Sequence, residues 1–198
     1  MIKTELGDLF AFAVNSRSGL DSKAVGAFCK GLSHWAMRGE KENELWEQRP
    51  GSKHNFVDWR KIELKNDIFV FRPKIGTMKV TIDIADKIPR IFKAKSLARE
   101  IFKRFMHING GALVRTNEIR IHALEMMKVL CTFPYDWVSI ISLGNLQARW
   151  AFHCAESVFF SYIFGGIILN KKNALTYMQK PDSIFVDSDL EYIGKGGV

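Results

Sequence analysis

Fourteen consecutive residues, Ser157 to Asn170, carry no charge. A membrane-spanning helix needs about 20 predominantly apolar residues. A stretch of this length, interrupted by Ser157, Ser161 and the pair Gly165–Gly166, therefore belongs in a buried core. The apolar pattern extends upstream and predicts one long helix from Asn145 to Phe164, stopped by the two glycines. With 198 residues, 47% of them hydrophobic and 25% charged, the chain can bury such a helix in one domain or in two small lobes.

Elsewhere the pattern mixes helix and strand signals. Leu20, Val25, Phe28, Leu32 and Trp35 recur near a 3.6-residue period and predict a helix over Ser18–Trp35, capped by Asp21 or Ser22. The polar, mixed-charge run from Arg38 to Asn55 predicts a long loop anchored by Leu45 and Trp46. Asp67–Phe71 and Met78–Ile84 are β-rich runs flanking a turn that contains Pro73 and Gly76, which predicts a β-hairpin. Phe92–Met106 is an amphipathic helix with Leu97, Ala98, Ile101, Phe102 and Phe105 on one face and Lys95, Arg99 and Lys103 in a stripe beside it. Asn117 is placed to cap a helix running to about Cys131, ahead of Pro134. The expected architecture is α+β and helix-rich: an N-terminal lobe over 1–108, a helical lobe over 109–180, and an acidic tail over 181–198.

In the helical lobe, EIRIHALEMMKVLC is followed by DWVSIISLGNLQARWAF and then by GIILNKKNALTYM. The order helix, short helix, turn, helix, ribbon resembles a winged helix-turn-helix. In that fold the helix after the turn enters the major groove and the basic wing touches phosphate. The resemblance sets Lys171 and Lys172 at the wing tip. The helix after the turn offers Gln147, Arg149, His153 and Glu156 as polar side chains. Its apolar remainder also suits a core or a homodimer interface.

Charge sharpens the partner class. Between Lys87 and Arg120 lie nine basic residues against Glu100 and Glu118, which is nearly the whole formal +8 of the chain. A clustered positive field draws polyanions, nucleic acid first. The expected function is non-catalytic association with nucleic acid, DNA rather than RNA. Lys93, Lys95, Arg99, Lys103 and Arg104 would contact phosphate, with Arg115, Arg120, Lys171 and Lys172 as further contacts. The alternative is an inhibitor or adaptor docking on an acidic protein.

Catalytic and metal motifs are sparse. Glu63-Leu64-Lys65 matches the end of a metal-dependent nuclease core, with Asp58 upstream and Asp83 and Asp86 as further oxygen donors, and gives a third reading. Arg149, His153 and Glu156 share a helical stripe and suit either acid–base work or a wet helix face. The string His153-Cys154-Ala155-Glu156 lacks the downstream Cys pair that a zinc deaminase needs. The five histidines show no metal-ligand spacing, and no cofactor motif is present. The odd, widely spaced cysteines Cys29, Cys131 and Cys154 read as reduced, buried thiols of a cytoplasmic protein. The apolar run Leu9–Val14 is too short and too acidic upstream for a signal peptide.

Overall fold

The N-terminal run Leu-Phe-Ala-Phe-Ala, apolar on both alternations, is the sequence of a strand covered on both faces. In a computed structural model it is strand β1, Leu9–Ala13, at the middle of an antiparallel sheet. The structure describes residues 2–13, 32–49, 56–58, 68–74, 116–138, 151–164, 169 and 190–196. These contain β2 (Leu32–Arg38), β3 (Glu44–Trp46), β4 (Phe56–Asp58), β5 (Ile68–Pro73), α1 (Thr116–Leu130), α2 (Cys154–Phe164) and β6 (Leu190–Gly196). The strand order is β4-β3-β2-β1-β5-β6, with every neighbouring pair antiparallel.

The two helices and one face of the sheet share a core. Leu9, Ala11, Trp35, Met37 and Phe71 from the strands meet Ile119, Ala123, Leu124, Met127 and Leu130 of α1 and Ala155, Val158, Phe159 and Tyr162 of α2. Phe10, Phe12, Ala36, Leu45, Ile68 and Val70 form a smaller cluster on the opposite alternation, closed by Ile2 and Ile193. Each large side chain buried this way contributes about 1.5–3 kcal/mol. The helices therefore depend on the sheet, and the sheet on the helices, for most of their stability.

A buried polar joint fixes the layers. Asp8 is fully buried, accepts the Glu5 amide at 2.7 Å, and takes Arg72 Nε and Nη2 at 2.9 and 2.8 Å. Arg120 of α1 donates to Glu5 Oε2 and the Leu6 carbonyl, both at 3.1 Å, and lies 3.6 Å from Asp8 Oδ1. Tyr162 of α2 donates its hydroxyl to the Gly7 carbonyl. Gly7 stands at φ +79°, where a Cβ would sit 2.7 Å from that hydroxyl.

This architecture corrects the expected helix-rich α+β fold. Among the described residues there are six strands and two helices, and strand residues outnumber helical ones. The end of the expected helix Ser18–Trp35 is strand β2, because Trp35 and Met37 alternate toward the helices while Ala36 faces the other way. Within the expected loop Arg38–Asn55, Glu44–Trp46 is a strand and Glu47 and Gln48 are buried, although Leu45 and Trp46 do anchor it. The expected hairpin is absent as drawn. Residues 68–71 have both edges taken, by β1 and β6, and Met78–Ile84 lies outside the described residues. Leu190–Gly196, read as part of an acidic tail, is a strand.

The winged helix-turn-helix is corrected as well. The helix from Asn117 to about Cys131 is present as α1. The expected helix Asn145–Phe164 is not continuous: residues 151–153 are non-helical, with Phe152 bridging Tyr135 and its N–H donating to the Pro134 carbonyl at 3.0 Å, and α2 starts at Cys154. Every described side chain of α2 is buried, so it is a core helix and presents no face to a DNA groove. The basic helix Phe92–Met106 and the wing around Lys171 and Lys172 lie outside the described residues.

Gly7→Ala combines a left-handed backbone with a close approach to the Tyr162 hydroxyl. It is expected to lower unfolding stability by about 1–3 kcal/mol in urea titration.

Candidate active site

The β2–β3 pairing determines which side chains meet at the end of α2. Met37 pairs with Trp46 and Arg38 with Leu45. Glu47 follows directly on β3. His34 Nε2 lies 2.7 Å from Glu47 Oε2. The connecting turn is tight: Gly39 N–H donates to the Glu44 carbonyl at 2.8 Å, and Glu44 Oε2 accepts the Lys41 amide at 3.0 Å. A Cβ on Gly39 would lie 2.5 Å from the Glu44 carboxyl carbon. Gln48 Nε2 donates to the Phe133 carbonyl at 2.6 Å, tying the segment after β3 to the connection that leads out of α1.

The third member arrives from the helices. Cys154 is the first residue of α2, 1% exposed, and its thiol and the His34 imidazole each shift the other's ionisation. Three residues 120 apart at their extremes thus act on one another, His34 and Glu47 by direct contact and His34 and Cys154 through their charges. The Glu47 carboxylate can only accept, so His34 Nε2 carries hydrogen toward it and Nδ1 is left as the ring atom that can take the thiol proton. Phe12, directly opposite His34 across the β1–β2 ladder, holds the ring at a centroid distance of 5.6 Å. The second carboxylate oxygen of Glu47 lies 3.3 Å from Arg49. The His34 side chain is 12% exposed and is the member of the group that faces solvent.

The electrostatics are those of an ion pair. Burial opposes a charge on His34, but the Cys154 thiolate and the Glu47 carboxylate overcome it and raise the imidazole to about 9. Burial likewise opposes a thiolate at Cys154. The His34 charge, with hydrogen bonds from His153 and His34, overcomes it and lowers the thiol to about 5. The N-terminal end of α2, equivalent to roughly half a positive charge, acts in the same direction.

His153 and Glu156 close the end of the helix. Glu156 N–H donates to His153 Nδ1 at 3.4 Å, and His153 N–H donates to Glu156 Oε2 at 3.3 Å. This is a capping box in which an imidazole takes the place of the usual hydroxyl. Of the expected stripe, His153 and Glu156 are brought together, and Arg149 lies outside the described residues.

The other expected site residues fall as follows. Arg120 is 9% exposed and turned inward on Glu5 and Asp8. Lys93, Lys95, Arg99, Lys103, Arg104, Arg115, Lys171 and Lys172 lie outside the described residues, as do Glu63, Lys65, Asp83 and Asp86. Asp58 is in β4, opposite Glu44. Among the described residues no three His, Cys, Asp or Glu side chains group as metal ligands, and no helix is long and apolar enough to cross a membrane. Cys131 and Cys154 are both free thiols and both buried. Sequence reading missed the Cys154–His34–Glu47 group. The available signal was an unpaired cysteine together with a histidine distant in sequence, and only the sheet register makes them neighbours. No family model, no curated protein and no solved structure matches this chain.

A thiol lowered to about 5 is thiolate at neutral pH and loses that form as pH falls through 5, whereas an ordinary thiol is unreactive below about pH 7. Iodoacetamide labelling of Cys154, followed by peptide mass spectrometry, is therefore expected to hold its rate from pH 8 down to about 6 and to fall by half near pH 5. Cys131 serves as the internal reference.

Proposed function

We propose that this chain is a cysteine-dependent acyl-transfer enzyme in which Cys154 is the nucleophile, His34 the general base and acid, and Glu47 the group that orients His34. The observation that carries the reading is the buried His34–Glu47 pair, with the carboxylate 2.7 Å from the imidazole, whose charge favours the thiolate of Cys154 at a helix start. A nucleophile within reach of a base that is itself held by a third group is the triad arrangement, and it is recognised by geometry and roles rather than by order in the chain.

The chemistry follows from those positions. The Cys154 thiolate adds to the carbonyl carbon of an ester, thioester or amide. The carbonyl π electrons move to oxygen, and the positive end of α2 favours the resulting oxyanion. The His34 imidazolium gives its proton to the departing alcohol, thiol or amine as the carbon–leaving-group bond breaks, leaving an acyl thioester on Cys154. Neutral His34 then takes a proton from water or an acceptor alcohol. That oxygen adds to the thioester, and Cys154 departs as thiolate beside a reprotonated His34. Glu47 keeps the proton on Nε2 throughout, so that Nδ1 remains the working atom.

The test uses p-nitrophenyl acetate and an acyl thioester as probes. The expected result is a burst of one leaving group per chain and an acyl adduct on Cys154 after acid quench. Cys154→Ala should give no adduct, and His34→Gln should slow acylation by about 10²–10⁴-fold. A wild-type chain alkylated at Cys154 but acylated by neither probe would overturn the reading.

The excess of positive charge from Lys87 to Arg120 supports a second reading, non-catalytic association with nucleic acid, DNA before RNA, or with an acidic protein. Because Arg120 is engaged with Glu5 and Asp8, this reading rests on Lys93, Lys95, Arg99, Lys103 and Arg104. Fluorescence anisotropy with duplex DNA should show binding at about 50 mM salt that collapses by about 200 mM. It should also weaken on Arg99→Glu with Lys103→Glu. No binding at the lower salt would sink it.

A further inference from the structure

We infer that Arg72 and Arg120 form a carboxylate-binding site, that the Glu5 side chain fills it in cis, and that a small carboxylate from solution can take the place of Glu5. The inference stands on the polar joint at Asp8 and is independent of the chemistry proposed at Cys154.

The receptor is built without Glu5. Arg72 of β5 commits Nε and Nη2 to the two oxygens of Asp8, at 2.9 and 2.8 Å, and Nη2 also donates to the Lys3 carbonyl at 3.2 Å. A guanidinium is a rigid plane, so fixing Nε and Nη2 also fixes the direction of Nη1. Arg120 of α1 has its Nη1 anchored by the Leu6 carbonyl at 3.1 Å and lies 3.6 Å from Asp8 Oδ1. The two arginine side chains are 21% and 11% exposed, and Asp8 behind them is fully buried.

Glu5 meets this receptor as a ligand would. Its Oε1 lies 3.1 Å from Arg72 Nη1 and its Oε2 lies 3.1 Å from Arg120 Nη1, so each oxygen takes a different guanidinium. Its side chain is 50% exposed. The Glu5 main chain is held separately: its amide donates to Asp8 Oδ2 at 2.7 Å and its carbonyl accepts the Asp8 amide at 3.0 Å. The carboxylate can therefore swing into solvent without unseating either the backbone or the arginines. In an ordinary surface ion pair both partners are mobile and the contact is worth little. Here one side is fixed and the other is hinged, which is the relation of a receptor to a tethered occupant.

Charge and shape define what else fits. Asp8 balances one of the two guanidinium charges, and Glu191, opposite Arg72 across the β5–β6 pair, adds a weaker negative field at Arg72. The two Nη1 donors come from separate side chains and address two oxygens of one planar anion, which is carboxylate geometry. A short tether gives Glu5 an effective concentration on the order of mM, so a monocarboxylate in solution competes with it from that range upward.

The test uses sodium formate and sodium acetate as probes, with sodium chloride at matched ionic strength, on wild type, Glu5→Ala and Glu5→Gln. Each is followed by thermal unfolding and by isothermal titration calorimetry. Glu5→Ala is expected to melt about 2–4 °C below wild type. Formate at about 100 mM should restore that loss where chloride does not, with a Kd on the order of 10 mM. The wild-type shift should be less than half as large, because formate must first displace Glu5. Glu5→Gln, which leaves an uncharged side chain in the site, should fall between the two and serves as the second variant. Formate and acetate acting no differently from chloride on both variants makes Glu5 a structural ion pair and overturns the inference. A shift equally large in wild type and in Glu5→Ala places the binding elsewhere and overturns it too.

Discussion

The buried carboxylate of Asp8 is the contact on which the arrangement of sheet and helices depends. It sits at the start of the central strand, where Gly7 N–H donates to the Arg38 carbonyl and Arg38 N–H to the Asp8 carbonyl, so β1 and β2 are joined at the same residue. Arg72 reaches it from β5 and Arg120 from α1. A carboxylate removed from water is tolerated only when its acceptor positions are filled, and here Arg72 supplies two donors and the Glu5 amide a third. Removing the carboxylate would leave two guanidinium groups facing each other around Glu5, which makes Asp8 a constraint on topology as much as a source of stability. Tyr162 carries the same joint to α2 through Gly7, one residue away.

From that joint the chemistry follows by register. Fixing β1 fixes β2, and β3, paired with β2, leads directly into Glu47, 2.7 Å from His34. Fixing Tyr162 near one end of α2 sets the direction in which Cys154, at the other end, is presented. The site is therefore assembled by long-range pairings, and its two charges support one another. Neither a buried imidazolium nor a buried thiolate is favourable alone, and each is the principal reason for the other.

These dependencies explain what could be read from the chain and what could not. The described part of the uncharged run, Ser157–Tyr162 and Leu169, is buried as its apolar pattern implied, because burial of apolar surface needs no partner to be specified. The α1 period was legible because Ile119, Ala123, Met127 and Leu130 all face one core. β2 was misread because Leu32 and Trp35 also satisfy a helical spacing, and only the pairing with β1 decides between the two periods. β6 was hidden because Gly194, Gly196 and Lys195 are weak strand formers that are held by β5. Cys154, His34 and Glu47 have no characteristic spacing at all, since a hairpin register and a helix start, not a local motif, set their distances. Counting charge treated Arg120 like its basic neighbours, whereas burial against Glu5 and Asp8 gives it a structural task.

The position at which α2 begins decides the chemistry of its first residue. Had the helix run unbroken from Asn145, the Cys154 amide would donate to the carbonyl four residues earlier, and the thiol would sit mid-helix with no positive end beside it. Instead residues 151–153 are non-helical, with Phe152 bridged to Tyr135, and the reciprocal His153–Glu156 cap starts α2 one residue before the cysteine. The same four letters, His-Cys-Ala-Glu, that fail as a metal motif thereby become a cap, the thiol proposed as nucleophile and the carboxylate that holds the cap. A helix boundary set by one bridge between Tyr135 and Phe152 converts a buried core cysteine into one poised to ionise.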